Sequence, residues 1–160
     1  DGLHGAKEVC GRRRLKRGLH RVLTYGFQRG GGAYQTVYYK GPDTRGKKKL
    51  MRSRYRMARR NRRRGWQMRI WSGKSGMKSI PRKYTKGSYK GRRWVRYINF
   101  RNNYSFRRKI RRAPSSNYIW EFKGRMHVKK AGTYTLCTKS DDGSKLSVDH
   151  KLLVNNDGLH

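Results

Sequence analysis

Acidic residues are scarce in this chain. Its 160 residues hold 8 Asp and Glu against 44 Lys and Arg, a formal net charge of +36. Such a chain repels itself and attracts polyanions. Binding of that kind weakens steeply with salt, because counterions are released when phosphate or sulfate is neutralised. Long apolar runs are missing as well. Hydrophobic residues make up 33% of the chain, and the mean hydropathy is −1.16. No stretch approaches the roughly 18 apolar residues of a membrane-crossing helix. No signal-peptide pattern opens the sequence, which carries no weight if the chain is an excerpt. The two cysteines and five histidines form no cluster with zinc-site spacing.

Signatures of catalysis are also lacking. Outside the turns and Asp1, the acids are Glu8, Asp43 and Glu121. Glu121 has no visible partner carboxylate for glycoside chemistry. No nucleophile-elbow or Cys/His pattern appears. Residues 28–32 are glycine-rich but lack the G-x-x-x-x-G-K-[ST] frame of a phosphate cradle. The expectation is a protein that is not an enzyme.

Aromatic residues, by contrast, are plentiful: 11 Tyr, 4 Trp and 4 Phe. Each buries a large area, so a modest β core is within reach. Residues 117–128 give the clearest alternation. Trp120, Phe122, Gly124, Met126 and Val128 face one way, while Glu121, Lys123, Arg125 and His127 face the other. That pattern predicts a half-buried antiparallel strand. Trp66, Met68 and Ile70 alternate with Gln67, Arg69 and Trp71 in a second strand, and Tyr134 and Leu136 point inward from a third. Residues 19–27 read as a core strand with Leu19, Leu23, Tyr25 and Phe27 on its inner side. Residues 33–40 and 95–100 read as further strands. Residues 5–11 look like an edge strand carrying Cys10, interrupted by Arg12-Arg13-Arg14. Residues 73–91 and 107–112 read as loops, the latter strongly basic. Residues 45–65 hold 12 Lys and Arg in 21 positions and read as a linker or surface crossover.

The last 21 residues concentrate the acids: Asp141, Asp142, Asp149 and Asp157. They read as turn, strand, turn, strand, turn. Asp141-Asp142-Gly143-Ser144 makes the first turn and Asp149-His150 a two-residue reversal, since Asp, Asn and Gly tolerate tight-turn geometry.

This stretch carries a resemblance. With Phe122-Lys123-Gly124 and Lys130-Ala131-Gly132-Thr133-Tyr134-Thr135-Leu136, it resembles the lectin-like β-sandwich module named after anthrax protective antigen, the PA-fourteen domain family of flocculins and extracellular adhesins. The matching pattern runs through Ser140-Asp141-Asp142-Gly143-Ser144 to Asn156-Asp157-Gly158-Leu159-His160. The chain also opens with Asp1-Gly2-Leu3-His4, repeating Asp157-Gly158-Leu159-His160. Leu15-Lys16-Arg17-Gly18-Leu19-His20 and Lys40-Gly41-Pro42-Asp43 resemble the family's continuation after that point. The resemblance therefore implies an all-β, antiparallel, jelly-roll-like sandwich whose module is completed across repeat boundaries or is circularly permuted. Residues 1–50 would be the C-terminal part of one module, 45–65 a basic linker, and 66–160 the N-terminal part of the next.

In the adhesin branch of the family, an Asp-Asp pair joined by a cis peptide holds calcium, which in turn binds sugar hydroxyls. Calcium suits such a site because it takes six to eight oxygens. The resemblance places calcium at Asp141 and Asp142; Asn155, Asn156 and Asp157 could contribute oxygens in place of the family's asparagine, and the alternative is that the two aspartates merely stabilise the turn. The family's partner loop supplies an asparagine; the matching residues near Gly30-Gly31-Gly32 hold none. Cys10 and Cys137 suggest a disulfide, formed within one closed chain or between neighbouring repeats, with two free thiols as the alternative. His4, His20 and His160 read as structural. Asn103-Tyr104-Ser105 is an N-glycosylation sequon. The implied function is an extracellular, cell-surface adhesive or structural module, repeated head to tail into a filament or appendage and binding carbohydrate. The rival is a basic protein binding nucleic acid or a sulfated glycan, for which basic residues interleaved with Tyr and Trp would supply charge and stacking.

Overall fold

The computed structural model describes residues 5–57, 60, 62–86 and 88–160. The opening Asp1-Gly2-Leu3-His4 lies outside them. The chain lays down β1 (Lys7–Leu15), β2 (Gly18–Gln28), β3 (Tyr34–Lys40), β4 (Lys49–Leu50), β5 (Trp66–Ser72), β6 (Tyr89–Val95) and β7 (Asn99–Phe100). The helix α1 (Asn103–Lys109) follows, and then β8 (Tyr118–Val128), β9 (Gly132–Asp141), β10 (Ser144–Val148) and β11 (Lys151–Asn156). One sheet runs β1-β9-β3-β4, with β7 also paired to β3; the other runs β11-β10-β2-β8-β5-β6. All the pairings between these strands are antiparallel, and the two sheets form a β-sandwich.

Alternation decides the core. Trp120, Phe122, Met126 and Val128 of β8, with Trp66, Met68 and Ile70 of β5, pack against Val37 of β3 and Tyr134 and Leu136 of β9. Each such side chain contributes about 1.5–3 kcal/mol when fully buried. Two glycines make room for the largest rings. A Cβ on Gly26 would meet the Trp120 ring at 2.7 Å, and one on Gly124 would fall onto the Trp66 ring.

The β2 phase differs from the expectation. Val22, Thr24 and Gly26 face the other sheet, while Leu19 is 42% exposed. The cause is pairing. Val22, Thr24 and Gly26 stand opposite Gly124, Phe122 and Trp120 of β8, and residues directly opposite share a face. The stronger pattern of β8 thus fixes the parity of β2. Phe27 instead joins Met77, Ile80 and Ile119 in a second cluster on the outer face, packed with Tyr25 and Tyr84. Met77, Ile80 and Tyr84 bring residues 73–86 over that face, so they are not a bare loop, and β6 begins already at Tyr89.

Three further differences have plain reasons. Arg12, Arg13 and Arg14 do not interrupt β1, which pairs with β9 as far as Leu15 opposite Gly132. An edge strand accepts charge because its outer side meets water. Residues 103–109 form a helix, whose end takes in 107–109 of the basic loop expected over 107–112. Asn102 caps it by accepting a hydrogen bond from Ser105 N–H at 2.8 Å, and Phe106 buries against Phe100, Tyr118 and Trp120. Finally, Asp142-Gly143 is not a hairpin turn. β9 lies in one sheet and β10 in the other, so the link crosses the sandwich. The reversal at Asp149-His150 is a hairpin turn, with φ of 48° and 66°. In the basic stretch 45–65, β4 pairs with β3, and Met51 and Ser53 are buried.

Candidate functional site

The Asp141–Asp142 pair sits where β9 leaves its sheet, and the peptide between the two residues is cis. Backbone bonds knit this corner to the end of β2. Asp142 N–H donates to Phe27 O at 3.1 Å, and Phe27 N–H donates to Gly143 O at 3.0 Å. Arg29 N–H donates to Asp142 Oδ2 at 2.7 Å. Gly143 is needed at the crossing, because a Cβ there would stand 2.6 Å from Gly158 N and 2.8 Å from the Phe27 ring.

The two carboxylates differ in support. Burial raises the Asp142 pKa, while the Arg29 N–H and the backbone of His160 draw it back. Burial raises Asp141 to about 6, and the charge of Asp142 adds to the effect. Among the described residues no donor reaches the Asp141 carboxylate. Its charge lies near the Tyr118 phenol, whose pKa rises through burial first and Asp141 second. The corner therefore holds negative charge that the protein itself leaves largely uncompensated.

Asparagines do reach the glycine-rich loop, although none lies within it. Asn103 Nδ2 donates to Gly31 O at 2.7 Å, and Tyr118 Oη donates to Asn103 Oδ1 at 2.9 Å. Asn117 N–H donates to Arg29 O at 3.1 Å. Asn117 Oδ1 and Gln28 Oε1 are buried and have no hydrogen-bond partner. Buried oxygens without a donor are uncommon and call for a reason. Sequence reading missed Gln28 and Asn117. Only Asn117, directly before the alternating strand, carried a local signal, as a turn residue; its φ is 51°.

The other predicted ligands are placed otherwise. Asp157 Oδ2 accepts from Lys145 Nζ at 2.8 Å, and its Oδ1 accepts from Ile80 N–H at 2.9 Å. Asn155 is exposed, and its Oδ1 accepts from Asp157 N–H at 3.2 Å. Asn156 is buried and donates to Lys7 O and Ser140 Oγ. His20 is hydrogen-bonded at both ring nitrogens, to Asp149 Oδ2 and Lys16 O. His160 Nε2 is buried without a partner, and His4 lies outside the described residues. In the sequon, the Asn103 amide nitrogen that a glycan would occupy is the one donating to Gly31. Glu121 is buried, held by Arg69 and by Tyr84 Oη at 2.7 Å.

Cys10 and Cys137 stand directly opposite each other on β1 and β9 and form a disulfide. Within this chain, the two cysteines are each other's partner.

Residues 102–160 match the family model of the PA14 domain. The PA14 match takes in α1 and β8 to β11, and so contains Asp141, Asp142, Asn117 and Cys137. Strands β1 to β3 lie outside it, yet they share both sheets with it. No curated protein and no solved structure matches the chain.

Proposed function

We propose that this chain is an extracellular adhesive and structural module that binds carbohydrate through calcium held at Asp141 and Asp142. The observation that carries the reading is the adjacent carboxylate pair in a partly desolvated corner, with Asp141 raised to about 6 and lacking a cationic partner. A divalent cation would relieve that repulsion. The donor set fits a hard, oxygen-seeking ion: two carboxylates, with the unpartnered Gln28 Oε1 at the end of β2 and Asn117 Oδ1 on the segment whose N–H donates to Arg29 O. Calcium bound there would present open coordination positions to sugar hydroxyls. Asp157 is occupied by its pair with Lys145, and Asn155 Oδ1 by Asp157 N–H. The PA14 match and the disulfide fit a module working in an oxidising, extracellular setting.

Calcium titration by calorimetry, with glycan-array binding in calcium and in chelator, tests this. Extracellular calcium modules bind in the range of about 10⁻⁴–10⁻³ M, and that is the range expected here. Absence of binding heat, together with chelator-resistant glycan retention, would reject the proposal.

Copies joined head to tail are the second part of the proposal. The recurrence of Asp157-Gly158-Leu159-His160 at residues 1–4 supports it. Trypsin digestion of native material should then release a peptide running from Leu152 to His160 and straight on into Gly5-Ala6-Lys7. Recovering residue 160 followed by any other sequence would sink the array.

A further inference from the structure

A second binding site lies away from the aspartates, in the basic stretch between β4 and β5. Residues 51–56 run extended, with Met51, Ser53 and Tyr55 turned inward and Arg52, Arg54 and Arg56 alternating with them. Backbone bridges fix this alternation. Arg52 pairs with Tyr97, Arg56 pairs with Arg64, and Ser53 N–H donates to Arg96 O at 3.0 Å. Ser53 Oγ donates to Arg125 O at 2.7 Å, fastening the segment to β8. Arg125 reaches back, its Nε donating to Arg56 O at 2.6 Å. Two adjoining clefts result, of about 410 Å³ and about 570 Å³, which share Arg54 and Arg64. Arg52 and Arg96 line the first, Arg56 and Arg125 the second.

Arginines held this close repel one another, and among the described residues no acid lines either cleft. The described acids are engaged elsewhere. Glu8 pairs with Lys48, Glu121 with Arg69, Asp149 with His20 and Asp157 with Lys145. Asp43 accepts from Lys129 N–H, and Asp141 and Asp142 form the corner described above. Within the cleft, Arg52 Nε is buried with no acceptor. A groove with this many donors and no acceptor charge is complementary to a chain of oxyanions.

We propose that this groove binds a sulfated polysaccharide. Guanidinium forks match sulfate oxygens two at a time. A single-stranded nucleic acid would also need bare ring faces for its bases. The groove offers few: the Arg52 guanidinium covers the neighbouring Tyr97 at 5.6 Å, Tyr55 stands edge-on to His127 with its hydroxyl hydrogen-bonded to the imidazole, and Trp94 is the one other aromatic among the described lining residues, a single platform where successive bases need several. The site is independent of calcium, so it stands or falls separately from the aspartate reading.

The test measures binding of a heparin-derived octasaccharide across a sodium chloride series, in chelator. The Arg54→Gln/Arg56→Gln/Arg64→Gln variant is set against Arg107→Gln/Arg108→Gln/Arg111→Gln, which removes the same charge from a different cavity. Arg54, Arg56 and Arg64 are exposed, so the fold should persist; Arg54→Gln alone serves if the triple variant melts early. We expect the cleft variant to bind at least ~10-fold more weakly, with the salt slope reduced by about 2–3. The control should lose less than about threefold. Equal losses in both variants would show diffuse charge attraction and overturn the site. Tighter binding of single-stranded DNA of matched charge, lost in the same variant, would overturn the choice of ligand. Binding that disappears in chelator would assign the glycan to the aspartates instead.

Discussion

Asp141→Asn should abolish the response to calcium while raising the melting temperature of the calcium-free protein. The two effects share one cause. Burial and the neighbouring Asp142 raise the Asp141 pKa from 3.8 to about 6, so the folded chain holds a proton there more tightly than the unfolded chain does. Between those values, stability falls as pH rises, and above about 6 the penalty is complete. An amide carries no such charge and removes the penalty at neutral pH. Calcium offsets the same repulsion in the parent protein and needs the ionised form, so its affinity should climb over the interval in which apo stability declines. At a calcium concentration of 100 times Kd the gain is about 2.7 kcal/mol, roughly 5–10 °C for a domain of this size. In the variant that shift should vanish, and carbohydrate retention should drop roughly 100-fold or more. Differential scanning fluorimetry from pH 4 to 8, with and without calcium, reads both arms. A variant that melts lower than the parent at pH 7 in chelator, or that still shifts with calcium, would contradict the account. Asp142→Ala is the less clean companion, because it also strips an acceptor from Arg29 N–H and costs about 1–3 kcal/mol for that reason alone.

Removing the disulfide should have the largest effect on stability. Cys10 and Cys137 are 127 residues apart in sequence. A bridge closing so long a loop restricts the unfolded chain strongly; chain-entropy reasoning puts the ceiling near 5 kcal/mol, and typical values are about 2–4. β1 is also an edge strand, hydrogen-bonded on one side to β9 and packed through Gly11 against Leu153 of β11. Cys10→Ser/Cys137→Ser should therefore lower the melting temperature by roughly 10 °C. It should also speed amide exchange in Val9–Arg13 far more than in β8, which is flanked by β2 and β5. Cys10 is exposed, so a mild reductant should reproduce the result on the parent protein. Reduction that leaves the melting temperature within about 2 °C would show that strand pairing alone holds β1.

Much of the fold could be read from local pattern. Trp66, Met68 and Ile70 in β5, the Trp120-to-Val128 series in β8 and Tyr134 with Leu136 in β9 all bury where alternation puts them. A two-residue period fed by large aromatics leaves few other ways to exclude water. β2 was misread because its own residues favour the phase that the fold does not use. Leu19, Leu23, Tyr25 and Phe27 are more apolar than Val22, Thr24 and Gly26, yet pairing with β8 turns the latter set inward. Helix α1 was missed because Phe106 alone of its residues is buried, which gives no helical periodicity to detect.

The candidate site was half visible. Asp141 and Asp142 announced themselves by adjacency in a chain otherwise poor in acid. Gln28 and Asn117 did not, because only backbone bonds of Phe27 and Arg29 to the corner, and of Asn117 to Arg29, join these segments far apart in sequence. Asp157, on the other hand, resembles a ligand in the sequence but is engaged by Lys145 and Ile80.

The order of residues alone determined the strands with strong alternation, the Asp149-His150 reversal, the excess of positive charge and the availability of two cysteines. Tertiary structure decided the rest: the side of β2 that meets the core, the crossing of Asp142-Gly143 between sheets, the pairing of Cys10 with Cys137 and the gathering of Arg52, Arg54, Arg56, Arg64, Arg96 and Arg125 along adjoining clefts. The division follows from range. Turn and strand preferences act over a few residues, whereas face, crossing and cleft depend on which distant segment lies opposite, and that is fixed only when the whole sandwich closes.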